Sequence, residues 1–539
     1  MNKKIIVITI IGIIGMLFMN ACSYGADNTS TANNDKEEDV QKGGKVSIPI
    51  VADPTFNPWH PNAYAESNVV NRVLFSSLTK PGKDLAPSPD LAEEWEVSDD
   101  ELEWTFFLRD DVLWHDGEKF TADDVAYTFN EIVLNEELGA NNSSYFGQLN
   151  EVEIVDEYTV KFVLESPVAA LPAYLGFNTE ILPKHIFEGE DPWDLTSFNK
   201  ENPIGTGAFK LKNYNSGQSV VLERNEDYYG ETALLDEVEY KVLGDANTHV
   251  AQILTGELSI FALDDLAAIE KIENADGVDV YARDTTRFFW LILNQEIEKY
   301  QDKEVRQAIL HAIDRQTIID TVLKGYATIA DSGIAPALQQ YYTEDVTRIE
   351  YDPDLAKELL KEAGWEDSDG DGILDKDGEP FTIDFEIGIQ GDLEAVSQMV
   401  QQYLEEIGIK VNLNAMEWNT MIQQVVVERD YEMTLNWWRY PADPDLSAYM
   451  HSKNVNGNNI PGYKNEELDK LLDAGAQTSD IEERQDIYIE AQQLMAEELP
   501  YLFLWYPQEA QVRIDKLKGV PDLSFGDALH YINEWYLEE

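Results

Sequence analysis

The chain has 539 residues, 43% of them hydrophobic, which is too long for one core, so we expect two or three domains. It carries 39 lysines and arginines against 103 aspartates and glutamates, and the formal net charge of -64 excludes electrostatic binding to nucleic acid or anionic lipid. The 12 tryptophans, 26 tyrosines and 20 phenylalanines argue against disorder, because they need a core in which to be buried. We interpret the acidity as adaptation of an exposed surface to a salty or alkaline medium.

The N-terminus has the pattern of an export signal. Lysines precede an apolar run, residues 5–18, that is too short to span a bilayer and has the length of a signal peptide's hydrophobic region. Residues 19–22 (MNAC) resemble a bacterial lipobox and end at Cys22, the only cysteine. We therefore predict a signal peptide over 1–21, a lipid on Cys22 and a flexible tether over 22–44; the alternative is an ordinary secretory signal. A single cysteine rules out an intramolecular disulfide.

Folded structure is expected to begin at Lys45. Alternating apolar residues predict a strand from Val46 to Ile50, and prolines separate it from a helix predicted over Glu66 to Phe75.

The stretch Leu91 to Phe129 places strand, turn and helix signals in one short unit. Aromatic and aliphatic residues alternate from Trp104 to Leu108, as in a strand with one buried face. The pair Asp116-Gly117 predicts a tight turn. Thr121 then stands where a helix N-cap is expected.

The middle of the chain continues with short elements. Residues 204–209 (IGTGAF) lack the strand and helix context of a phosphate-binding loop, so we predict a tight crossing there. The apolar run Arg287 to Asn294 predicts a buried central strand that crosses between domains. Further strands are predicted at Phe209 to Lys212, Ser219 to Glu223 and Glu237 to Val242, before a helix at Asn247 to Leu254.

Segments with periodic apolar residues, most of which end at a glycine or a proline, predict helices in the second half of the chain. These helices are Val305 to Val322, Asp354 to Ala363, Leu393 to Ile407 and Glu482 to Glu498. A strand from Tyr501 to Tyr506 follows the last of them.

An acidic loop between residues 367 and 375 has the front half of an EF-hand-type calcium loop, with Gly372 at the position of the sharp turn. The glutamate expected at the twelfth position is absent, and Gly378 stands there. Two interpretations stay open: a structural calcium site, and a solvated turn without metal. The candidate ligands are Asp367, Asp369, Asp371, the carbonyl of Ile373, and Asp375.

Four long segments, in order, resemble the peptide/nickel family of solute-binding proteins that serve bacterial ABC importers. They are Leu91 to Val125, Asn202 to Gly230, Asp302 to Ile319 and Glu498 to Val520, spread over nearly all of the chain after the signal. The resemblance implies an α/β fold of the periplasmic-binding-protein-like type II, with two lobes, three domains and a hinge.

The same resemblance implies how the chain is shared among the domains. Domain II is expected at 76–199 and domain III at 289–506. Domain I is assembled from three pieces, 45–75, 200–288 and 507–539.

The segment 435–445 (LNWWRYPADPD) has the aromatic composition of a site between lobes. Adjacent strand residues point to opposite faces, so we expect at most one of Trp437 and Trp438 to face a cleft while the other joins the core. The alternative is that both tryptophans are structural. In the family this segment carries a ligand-contacting Trp and, in peptide-binding members, an Asp that pairs with the peptide's amino terminus. That place holds Tyr440 here, so Asp443 and Asp445 are the candidates to take over the role.

Two further aromatic residues are candidates for the walls of the site. Trp418 matches an aromatic wall residue of oligopeptide-binding members, and Tyr145 in domain II is expected to face it from the opposite side. The alternative for Tyr145 is packing in the core.

The resemblance implies a receptor that captures an oligopeptide between its lobes and delivers it to the importer's permease. We expect a monomer on the extracytoplasmic face of the cell membrane, anchored by lipid on Cys22, with no required cofactor. Oligosaccharides and nickel chelates remain alternative ligands. The rival from another class is a secreted hydrolase with a carboxylate pair, although the 7 histidines show no metal-ligand spacing and no nucleophile motif is recognisable.

Overall fold

The computed structural model describes residues 42–263, 266–439 and 441–539. The predicted signal peptide, Cys22 and most of the tether lie outside these ranges, and so does Tyr440. Among the described residues, no helix is both long enough and apolar enough to cross a membrane.

Strands and helices are interspersed along the described chain. The strands are β1 Lys45–Ile50, β2 Thr79–Pro81, β3 Pro87–Pro89, β4 Ala92–Val97, β5 Glu103–Leu108, β6 Leu149–Asp156, β7 Thr159–Leu164, β8 Phe209–Asn215, β9 Ser219–Arg224, β10 Glu237–Val242, β11 Ile260–Leu263, β12 Val278–Asp284, β13 Arg287–Leu293, β14 Ala327–Ile329, β15 Asp375–Lys376, β16 Glu379–Pro380, β17 Thr382–Ile389, β18 Lys410–Glu417, β19 Met433–Arg439, β20 Leu502–Ile514, β21 Leu517–Lys518 and β22 Tyr536–Leu537.

The α-helices are α1 Ala65–Leu74, α2 Ala122–Tyr127, α3 Leu171–Tyr174, α4 Lys184–Phe187, α5 Ala246–Leu254, α6 Ile269–Glu273, α7 Glu298–Gln301, α8 Lys303–His311, α9 Arg315–Thr321, α10 Pro353–Glu362, α11 Leu393–Glu406, α12 Trp418–Ile422, α13 Ser447–Met450, α14 Glu466–Gln477, α15 Ile481–Glu498 and α16 Phe525–Ala528. Short 3-10 or π turns add Thr128–Val133, Glu136–Leu138, Ser143–Phe146, Ser197–Glu201, Leu266–Ala268, Gln423–Glu428, Ser452–Asn454 and Leu529–Glu534.

The first sheet draws its strands from two distant stretches of the chain. Its order is β1-β10-β9-β8, with β1 parallel to β10 and the other pairs antiparallel. Val46 and Ile48 are fully buried, so the predicted alternation from Val46 to Ile50 does place one face of β1 in the core.

The second sheet is antiparallel, with the order β4-β5-β7-β6. Phe106 of β5 packs edge to face against Phe162 of β7, with ring centroids 5.3 Å apart. Beside this sheet, Thr121 forms a capping box with Asp124 at the start of α2. The strand and the N-cap predicted between Leu91 and Phe129 are therefore present.

His115 joins this unit to the glycine-rich segment 204–209. The Gly205 amide donates to His115 Nδ1, and His115 Nε2 donates to the carbonyl of Gly207, both at 3.1 Å. Burial lowers the pKa of His115 to about 4, so its ring is neutral. A Cβ on Gly205 would lie 1.9 Å from the carbonyl oxygen of Leu74, and the backbones therefore cross as closely as the sequence predicted.

The third and largest sheet has the order β11-β20-β13-β19-β17-β18, and β12 and β14 also pair with β20. β13 lies between β20 and β19, and its residues from Trp290 to Leu293 are buried, as expected of a central strand. β20 is 13 residues long and continues well beyond the strand predicted at Tyr501 to Tyr506.

Most predicted helices have the expected position, but the single helix predicted from Val305 to Val322 is wrong. The chain forms two helices there, α8 and α9. Asp314 causes the break, because its side chain accepts hydrogen bonds from the amide and the hydroxyl of Thr317 and so caps α9. The sequence pattern did not indicate this break, because the apolar periodicity continues through the cap.

The assignment of residues to three domains stays a prediction. The first sheet uses residues 45–50 and 209–242, and the second uses residues 92–164. Strands β11 and β12, which fall in the predicted domain I, pair with β20 in the largest sheet.

Candidate functional site

Four aromatic rings form a row across one face of the largest sheet. Trp437 on β19 lies 6.3 Å from Phe289 on β13 and 6.4 Å from Trp418, and Phe289 stacks on Trp505 of β20 at 5.3 Å. The interplanar angles between these neighbours are 33°, 24° and 21°, so the rings lie roughly parallel. Trp437, Phe289 and Trp418 are only partly buried, so this aromatic row can contact a ligand.

Local backbone geometry positions Trp418 in this row. The residue follows strand β18 directly and begins α12. A Cβ on Gly388 would lie 2.5 Å from the Trp418 ring, so only glycine lets the indole lie against β17. Trp437 is held by a 3.2 Å hydrogen bond from its Nε1 to Gln390, and the Arg287 guanidinium lies 5.1 Å above its ring.

Trp438 lies on the opposite face of β19, as the alternation predicted. Its ring is 5.0 Å from Tyr449, and its Nε1 has no hydrogen-bond partner among the described residues. Trp437 and Trp438 are both half-buried, so exposure alone does not assign one of them to the core.

Tyr145 belongs to a second aromatic group. Its ring lies 5.0 Å from Tyr174 and 6.0 Å from Phe177. Burial raises the pKa of the Tyr145 hydroxyl, and the nearby Arg439 opposes this. The Arg439 guanidinium is 5.9 Å from the Phe177 ring, so the end of β19 meets this group directly.

Arg439 also reaches a buried charged cluster near the C-terminus. Its Nη2 lies 3.7 Å from Asp527 Oδ1, and Arg72 Nη1 lies 3.8 Å from the same oxygen. Burial alone would raise the pKa of Asp527, but Arg439 and Arg72 outweigh it and hold this pKa below its ordinary value. Burial raises the pKa of Glu509, whose carboxylate accepts a 2.6 Å hydrogen bond from the amide of Phe525.

Asp443, one of the two candidate anchors for an amino group, already has an internal partner. Arg484 donates to its two oxygens at 2.7 and 2.8 Å, and these side chains are 4% and 6% exposed. Burial opposes the charge on Arg484, but Asp443 outweighs it and raises the Arg484 pKa well above its ordinary value. A ligand amine could bind Asp443 only if this ion pair opened.

The acidic loop gathers three of its five candidate ligands. One carboxylate oxygen from each of Asp367, Asp369 and Asp371 lies within 4.8 Å of the others, and these residues are exposed. Asp375 instead accepts hydrogen bonds from the amide and hydroxyl of Ser368 at 2.9 and 2.6 Å. Asp371 accepts a 2.8 Å hydrogen bond from the amide of Ile373, and Asp367 and Asp369 also accept hydrogen bonds from backbone amides of this loop. The three gathered aspartates are therefore partly engaged by their own loop.

Comparison with known proteins connects this geometry to a family. The family described as bacterial extracellular solute-binding proteins, family 5, matches residues 86–459. The chain belongs to this family. This membership confirms the resemblance that the sequence segments carried and makes the protein a family 5 extracellular solute-binding protein.

Similar proteins match this family 5 protein over nearly its whole length. The oligopeptide-binding protein AppA of Bacillus subtilis (strain 168) is 34% identical over 531 residues, covering 97% of this chain and 96% of that protein. The structure of AppA from Bacillus subtilis with a nonapeptide superposes with a TM-score of 0.73 at 32% identity, covering 93% of this chain and 100% of that chain. NikZ from Campylobacter jejuni with Ni(L-His) gives a TM-score of 0.73 at 26% identity, with coverages of 91% and 99%.

These matches confirm the predicted α/β, two-lobed type II fold. The individual site residues stay predictions. The structure brings Trp418 and Trp437 together in one row, and Tyr145 near Arg439, but it places Asp443 in a separate ion pair.

Sequence reasoning did not find several of the residues around the site. These are Phe289, Trp505, Tyr174, Phe177, Arg484 and Asp527. Each reaches the site through strand pairing or a contact distant in sequence, which local composition does not signal.

Proposed function

We propose that this family 5 protein is the extracytoplasmic receptor of an ABC importer that captures oligopeptides between its two lobes and delivers them to the membrane permease. The observation that carries the proposal is the full-length similarity to the oligopeptide-binding protein AppA, in sequence and in structure. The three partly exposed rings of the aromatic row, Trp437, Phe289 and Trp418, support it, because such rings supply contact area with little conformational entropy to lose.

We further propose that the peptide is held mainly through its main chain. No site for its amino terminus is evident at Asp443, because Arg484 occupies that carboxylate. β18 lies at one end of the largest sheet's order and leads directly into Trp418, which suits addition of an extended ligand beside the aromatic row. Specificity would then be broad, and a blocked amino terminus would be tolerated.

Calorimetry with one peptide carrying a free or an acetylated N-terminus tests this mode of binding. We expect equal affinities within error, since neither form would use a carboxylate anchor. A loss of about 2 kcal/mol or more on acetylation is the scale of removing a partner from a buried charge pair, and it would show that such an anchor exists. If neither peptide binds, oligosaccharides and a nickel chelate are the next ligands to titrate.

The proposal includes no catalytic activity. Peptides and glycans incubated with the purified protein should be recovered unchanged, and turnover of either would favour the rival carboxylate-pair hydrolase. We also propose a monomer held at the membrane by lipid on Cys22, on the strength of the lipobox-like segment. A structural calcium in the acidic loop stays a hypothesis that rests on three gathered carboxylates.

A further inference from the structure

A cavity of about 160 Å³ lies apart from the aromatic row, between the region of the second sheet and the region of the largest sheet. One wall comes from β4, β5 and α3, with Trp95, Trp104 and Ala173. The facing wall includes Leu338 and Ile481. The walls are therefore mainly apolar and aromatic, and two separate parts of the molecule supply them.

The polar groups of this cavity show what it can bind. Trp104 is 4% exposed, and its Nε1 has no acceptor among the described residues. The buried Arg484 and Asp443 also line the cavity, but they neutralise each other. Asp84 also lines the cavity, but it is exposed to solvent. The buried part of the cavity thus offers one N–H donor and no unpaired charge, which suits a neutral apolar group next to a carbonyl acceptor.

Two hydrogen bonds join the two walls beside the cavity. The amide of Ala169 donates to the carbonyl of Ala476 at 2.9 Å, and the amide of Ser479 donates to both Glu101 oxygens at 3.1 and 3.0 Å. Ala169 and Ser479 themselves line the cavity. Glu101 has a φ of 57°, a left-handed conformation that costs free energy in a residue other than glycine. The cavity is therefore formed by the contact between the two regions.

The volume sets the size of the occupant, because apolar cavities of about 150 Å³ hold one benzene ring. We propose that this cavity receives one neutral aromatic side chain of the bound peptide, with Trp104 Nε1 donating to a peptide carbonyl beside it. A ring in this place contacts both walls at once and stabilises the arrangement in which the lobes are joined. The inference rests on the proposed function and adds an aromatic preference to it.

Nonapeptides in which a single phenylalanine is moved through an alanine-glycine parent sequence test the proposal by calorimetry. The wild-type protein should bind at least one of them about tenfold or more tighter than the parent, the scale of burying one phenylalanine ring. Ala173→Phe fills the cavity and should bring this ratio close to one. Ala251→Phe makes the same substitution at an exposed helix position and should keep the wild-type ratio.

Trp104→Phe provides a second variant if Ala173→Phe does not fold. It keeps an aromatic wall but removes the N–H donor, so the preference for phenylalanine peptides should fall. Binding of all peptides with equal affinity would overturn the cavity inference and leave the proposed function standing. The cavity inference is also wrong if Ala173→Phe folds and keeps the preference for phenylalanine peptides. If Ala173→Phe does not fold, the inference is wrong when Trp104→Phe keeps this preference. Absence of any peptide binding by the wild type would refute the proposed function itself.

Discussion

Replacing Asp443 with asparagine is expected to destabilise the protein strongly, because the change leaves Arg484 buried without a counter-charge. Arg484 is 4% exposed and donates hydrogen bonds of 2.7 and 2.8 Å to the two carboxylate oxygens of Asp443. Removing one partner of such a buried pair costs about 3–5 kcal/mol. Arg484 keeps a 2.7 Å hydrogen bond to the carbonyl of Gly475 and one of 3.3 Å to the Tyr341 hydroxyl, so we expect a value near the lower limit, about 3 kcal/mol.

Urea denaturation followed by circular dichroism and tryptophan fluorescence gives the change in unfolding free energy. The chain offers a matched control in Arg109 and Asp111, which also form two hydrogen bonds of 2.9 Å, but on the surface, where Asp111 is 53% exposed. Asp111→Asn should cost less than about 1 kcal/mol, because solvent screens an exposed pair. Replacing Arg484 and Asp443 together with leucines should cost less than Asp443→Asn alone.

The same variant separates a structural role of Asp443 from a role in ligand binding. If Asp443→Asn costs no more than the surface control and abolishes binding only of peptides with a free amino terminus, the reasoning above is wrong. Asp443 would then be the ligand's anchor, and the ion pair would open when the peptide binds.

Four further predictions test other parts of the molecule. Trp437→Ala should weaken peptide binding about tenfold or more in calorimetry, as loss of a central aromatic contact does, whereas Trp193→Ala should not; equal affinities would remove the aromatic row from the site. Cys22→Ser should release the protein from the membrane fraction, and unchanged association after this substitution would contradict lipid anchoring. If the loop from Asp367 to Asp375 holds calcium, a chelator should lower the melting temperature and added calcium restore it; an identical melting curve in both conditions counts against the site. Burial raises the pKa of Glu180 from 4.5 to about 7. The stabilising contribution of this carboxyl group is therefore complete below about pH 4.5 and is lost as the pH rises through about 7. Glu180→Gln should reduce the fall in urea midpoint over this range, and an unaltered pH profile would refute the assignment.

Much of the local structure could be predicted from the sequence, because its causes lie within a few residues. Thr121 caps α2 through atoms three positions away, and the Asp116-Gly117 turn needs only a residue that tolerates a positive φ, which is 92° at Gly117. The order of four long segments identified the family before any contact was known. The break between α8 and α9 was missed because the apolar period continued while Asp314 capped a new helix.

Only the tertiary structure decided which side chains meet at the site. Trp437 reaches Phe289 because β19 and β13 pair in one particular register, and a shift by one residue would exchange Trp437 for Trp438 on that face. Arg484 was not predicted as the partner of Asp443, since the pairing depends on how α15 packs and not on residues near either one. Composition indicated an aromatic segment suited to a site between lobes. Strand register and helix packing determined which rings share one face of the sheet and which charges are already neutralised, because contacts distant in sequence leave no local pattern.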